Sequence, residues 1–105
     1  MIIGNIQQLY AMKATLSPAA VASATSAEQT FTVKGLRLTT DMIVGVSKPT
    51  AQAGLGVAGW RISANDTLAI TFINATAAAI TPTASQDYLI LVARVDGTPK
   101  TAIAR

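Results

Sequence analysis

A chain of 105 residues, half of them apolar but only 12% charged, is long enough for one domain with a thin core. It has neither His nor Cys, which excludes disulfides, thiolate metal sites, most hydrolytic triads and most zinc sites. The net charge of +3 comes from eight scattered basic residues, Lys13, Lys34, Arg37, Lys48, Arg61, Arg94, Lys100 and Arg105, and no nucleic-acid footprint is expected from them.

Residues 1–16 form an apolar N-terminal segment carrying Ile2, Ile3, Ile6, Leu9, Tyr10 and Met12. Ile2, Ile6 and Leu9 suit one helical face, but no clear cap is present. Two readings stay open: an edge strand or short helix on its own core, or an arm that docks on a partner. A secretory leader is not expected, because no basic residue precedes the apolar part and Asn5, Gln7, Gln8 and Lys13 interrupt it. No stretch approaches the ~20 apolar residues of a membrane span.

Residues 17–27 are small, polar and Pro-initiated, and read as a linker. Residues 28–105 read as a single β-sandwich domain. Its first strand is Glu28 to Lys34, with Phe31 and Val33 on one face. Leu36 and Leu38 are expected to plug the end of the core, and Thr39-Thr40-Asp41 to turn the chain. Met42 to Ser47 is the second strand, stopped by Pro49, which cannot donate to a ladder.

A third strand runs from about Gly56 to Ser63, and Asn65-Asp66 makes a tight connection. The fourth, Thr67 to Asn74, points Leu68, Ile70 and Phe72 one way and Thr67, Ala69 and Thr71 the other. Gln86 to Val95 is a long buried strand, and Asp96-Gly97 signals a hairpin into Thr98 to Arg105. Six to eight short strands, joined by turn residues and without an amphipathic helix, predict an all-β antiparallel sandwich with an extended N-terminal arm.

One motif looks catalytic. Gly54-Leu55-Gly56-Val57-Ala58-Gly59 has the spacing of a dinucleotide-binding loop. That fingerprint needs a helix after it and an acid about 20 positions on. Here Trp60-Arg61-Ile62-Ser63 alternates like a strand, Asp66 comes too early and Asp87 too late. The glycines are therefore expected to let the chain bulge and pass close to another backbone. Glu28, Asp41, Asp66, Asp87 and Asp96 are isolated near strand ends or turns, and none forms a dyad or calcium loop by spacing. Asn65-Asp66-Thr67 and Asn74-Ala75-Thr76 match the glycosylation pattern, which carries no meaning without a leader. No catalytic residue, cofactor or metal ligand is assigned, and an enzyme is not expected.

The string from Lys48 to Val57, with Arg61-Ile62-Ser63-Ala64 and Asp66 to Phe72, resembles a family of small tailed-bacteriophage proteins. Ser17-Pro18-Ala19-Ala20-Val21, Glu28 to Val33 with Gly35-Leu36, and Ile80-Thr81-Pro82-Thr83 fit as well. The resemblance covers roughly residues 17 to 95 and leaves out the opening thirteen residues. It implies a virion structural protein, and best of all a capsid decoration (cement) protein on the surface of the shell, present in host cytoplasm during assembly. The partners it implies are the major capsid protein and copies of the chain itself, as a homotrimer. Nucleic acid, membrane and small-molecule substrate are not among them. A tail, baseplate or fibre component, or a module adhering to host glycans, is the alternative. The candidate partner contacts are Ile2, Ile3, Ile6, Leu9 and Tyr10 in the arm, and Gln52, Leu55 and Trp60 in the loop region.

Overall fold

Alternating apolar and polar residues put one face of each strand into a core and the other outward. A computed structural model describes residues 5–97, and there this pattern yields six strands in two antiparallel sheets. They are β1 (Ile6–Leu16), β2 (Thr25–Thr32), β3 (Asp41–Ser47), β4 (Leu55–Ala64), β5 (Thr67–Asn74) and β6 (Gln86–Val95). The first sheet has the order β1-β6-β3 and the second β2-β5-β4, with no helix among the described residues. The chain is thus an all-β sandwich, as its pattern predicts.

The inner faces meet in a core built on Leu68, Ile70 and Phe72 of β5 and Tyr88, Ile90 and Val92 of β6, all fully buried. These are the two central strands, which explains their apolar content. Ile43, Ile62, Leu16, Val21, Val33 and Leu36 complete the cluster. Leu36 plugs the end as expected, whereas Leu38 is 52% exposed and lies outside the core.

Two expectations are corrected. Ile6–Leu16 is an edge strand of the domain and not a free arm, because it pairs along its length with β6, from Ile6↔Val95 to Leu16↔Gln86. Tyr10, Met12 and Ala14 pack against the core from this strand. Ile2 and Ile3 lie outside the described residues. The segment 17–27 is not a loose linker either. Gln29 clamps it by accepting from the Ala19 N–H at 2.7 Å and donating to the Ala19 carbonyl at 2.9 Å. Val21 is fully buried and bridges to Ile80, and β2 already begins at Thr25.

The connections are sewn together at one end. Asp66, at φ +61, donates its N–H to the Leu36 carbonyl and accepts from Gly35 N–H on its carboxylate. Asn65 accepts from Leu38 N–H. The Asn-Asp turn thereby fixes the crossing between β2 and β3. The expected strand from Thr98 to Arg105 lies outside the described residues.

Candidate interaction surface

The glycine-rich segment resolves into a strand. Gly56 and Gly59 lie within β4, whose register with β5 slips between Val57 and Gly59, a β-bulge at Ala58. Gly54 has φ +80, and a Cβ there would collide with Thr76 Cγ2. Its carbonyl accepts from Ala75 N–H at 2.8 Å. The glycine is required by a turn and by close approach of the β5–β6 connection, not by a phosphate.

The polar side chains are tied into the scaffold. Asp41, whose side chain is fully buried, receives a two-pronged contact from Arg94, Nε to Oδ1 at 2.7 Å and Nη2 to Oδ2 at 2.8 Å. Arg94 also donates to the Gly35 carbonyl and lies 5.7 Å from the Tyr10 ring centre. Hydrogen bonding from Arg94 holds the Asp41 carboxyl below its ordinary range, against the opposing effect of burial. Asn74 is buried and uses its whole amide. Its Nδ2 donates to the carbonyls of Val21 and Ala78, and its Oδ1 accepts from the N–H and hydroxyl of Thr76. It is therefore closed to modification, whatever its sequence context.

Glu28 and Arg61 form a two-pronged pair at 2.8 and 2.9 Å across the outer face of the second sheet. The Arg61 hydrogen bonds lower the Glu28 pKa. Asp87 accepts from the Thr15 hydroxyl and lies 3.8 Å from Lys13. Among the described residues no three acidic side chains converge as metal ligands would.

The unusual surface is the outer face of the first sheet. Register places Leu9, Ala93 and Met42 in one row across β1, β6 and β3, and Ala11, Leu91 and Gly45 in the next. Lys13, Leu89 and Ser47 form a third row. Leu9, Met42, Leu89 and Leu91 are 48%, 61%, 54% and 37% exposed, and Val44, at the β3 bulge, 45%. Sheet faces turned to water are ordinarily polar. Among the described residues the charged members of this face are Lys13 and Asp87, which neighbour one another at one end.

Trp60 forms the rim. It belongs to the inner-facing side of β4, where it donates its indole N–H to the Ile43 carbonyl at 3.1 Å and closes the edge between β4 and β3. At 37% exposure it also walls an apolar depression floored by Ala11 and Gly45 beside Leu89 and Leu91.

The sequence-predicted contact residues therefore separate. Leu9 and Trp60 are presented outward together with half-buried Ile6. Tyr10 faces inward, and half-buried Leu55 packs on the core. Gln52 holds the segment around Pro82, donating to the Thr81 carbonyl and accepting from Thr83 N–H. Met42, Val44, Leu89 and Leu91 were not legible as contacts. In particular Gln86 to Val95 is not buried throughout, since Leu89 and Leu91 point outward. Their signal would have been register with a sheet already covered on its other face. Compared with family models, curated proteins and solved structures, the chain finds no match.

Proposed function

We propose that the chain is a non-enzymatic structural subunit that works by contact, and that its setting is a bacteriophage virion, as a capsid decoration protein bound to the shell of major capsid protein. The apolar outer face of the β1-β6-β3 sheet supports the part of this reading that makes the chain one subunit among others. A small domain that leaves several large aliphatic side chains contiguous and exposed gains by covering them. Asp41, Asp66 and the buried amide of Asn74 are instead engaged in holding loops and strand ends. The virion setting rests on the sequence resemblance.

The test is copy number in purified particles, measured by quantitative mass spectrometry. Copies in the hundreds per virion are expected for a shell protein. About a dozen or fewer would move the subunit to the tail. Absence from particles would end the virion reading.

A further inference from the structure

Within the reading of the chain as a contact-built subunit, on which this step rests, we infer that the outer face of the first sheet packs against the same face of a second copy of the chain. Three features identify that occupant. Among the described residues the face is neutral as a unit: Lys13 and Asp87 offset each other, although the chain as a whole carries +3. A partner recognised by charge would meet nothing to pair with there, whereas an identical face is not repelled.

The exposed side chains are also alike in chemistry, apolar on all three strands. Leu89 and Leu91 line an apolar depression with Ala11, Gly45 and Trp60. A two-fold axis through the face sets the apolar side chains of each copy against those of the other, the reciprocal pattern of an isologous contact. Two sheets packed this way lie ~10 Å apart with interdigitated side chains, as the two layers inside each subunit do.

The third feature is area. The large side chains of the face and Trp60, 37% to 61% exposed, present apolar surface on the order of 500 Å², so a face-to-face pair buries roughly the 1,000 Å² in total that a specific interface needs. The homotrimer implied by the resemblance needs head-to-tail contact between two unlike patches. One neutral apolar face instead makes a two-fold pair.

Light scattering and sedimentation of the purified full chain test this across the micromolar range. The expected mass is that of two chains. L89K/L91K is expected to give one chain, with pairing weakened at least ~100-fold because each face would then bury unpaired ammonium groups. Its far-UV spectrum should match wild type, and its Tm should lose the dependence on protein concentration that pairing gives the wild type. Met42→Lys repeats the measurement if the double variant fails to fold. Ile73→Lys, 44% exposed on the outer face of the second sheet, should stay paired.

A wild-type mass of one chain or of three chains overturns the inference. So does a folded L89K/L91K protein that remains paired, or an Ile73→Lys protein that separates. The two readings fail separately. A pair absent from virions removes the proposed setting and leaves the pair, while a monomer abundant on shells does the reverse.

Discussion

The two sheets share one core yet differ in what they turn outward and in how they are fastened. The second sheet shows water Ser26, Glu28, Thr30 and Thr32 from β2 and Thr67 and Thr71 from β5, with the Glu28–Arg61 pair laid across it. The first sheet shows Leu9, Met42, Leu89 and Leu91. Inside, the first sheet is tied at one end by the Asp41–Arg94 ion pair, and the second by the neutral amide of Asn74. One sheet is mostly polar toward solvent, with Ile73 as its exposed large aliphatic side chain, and is anchored without charge. The other is incomplete against solvent and anchored by charge. An outer face tells more about a subunit's surroundings than the core does, because every sandwich must fill its core while only some surfaces meet water.

The contrast in fastening can be broken most forcefully at Arg94. Arg94→Met leaves the buried Asp41 carboxylate unpaired, and a loss of about 3–5 kcal/mol is expected by urea unfolding. A loss below ~1 kcal/mol would mean that Asp41 is solvated and the anchor is not electrostatic. Asn74→Ala is the matching change in the second sheet. It removes one donor each from the carbonyls of Val21 and Ala78, which keep the Ile80 N–H and the Thr76 hydroxyl, and leaves the loop N–H of Thr76 without its acceptor, for an expected loss of about 1–3 kcal/mol.

Acid separates the two anchors without mutation. The Asp41 pKa is lowered in the folded state from an ordinary 3.8, so its contribution is fully present above that value. It is lost as pH falls through the lower folded value. Amides near Tyr10 and Arg94 should therefore lose exchange protection below about pH 4 before those around Asn74 do. Simultaneous loss at both ends would erase the distinction, and Asp41→Asn should remove this part of the acid dependence.

The smallest effect is expected at Tyr88, whose hydroxyl is buried on the first sheet with no hydrogen-bond partner among the described residues and whose pKa burial pushes up. Tyr88→Phe should leave stability unchanged or raise it by up to ~1 kcal/mol, because no hydrogen bond to protein is lost. A Tm drop of several degrees would reveal a hydrogen bond that the hydroxyl makes.

Much of the fold was legible because β3, β5 and β6 combine β-branched or aromatic residues with clear stops. Thr67–Asn74 and Gln86–Val95 have the bounds their pattern predicts. The bulge and close approach expected of the glycine-rich segment are present at Ala58 and Gly54. The N-terminal strand was left open because Ile2, Ile6 and Leu9 fit a helical spacing while its partner β6 lies some eighty positions away. Leu36 and Leu38 share a strand-like face in sequence, but chain direction at the crossing buries one and exposes the other. Tyr88-Leu89-Ile90-Leu91-Val92 is apolar without interruption, so its alternation is chemically invisible until register assigns the faces. That run hid most of the interaction surface, of which only Leu9 and Trp60 could be chosen beforehand.

The strand order β1-β6-β3 bears on how the molecule acquires its shape. β4 and β5 are joined by a two-residue turn and can pair as soon as both exist, whereas β1 and β3 each wait for the last strand of the six. Closing the β1–β6 loop carries a larger entropic cost, so the second sheet is expected to organise first and the first sheet late. Mutational φ-values should then be high for Ile62 and Leu68 and near zero for Met12. During that interval Leu9 and Met42 belong to unpaired strands. The segments destined for the contact face are thus the ones left longest without neighbours, and crowding among nascent chains is most hazardous there.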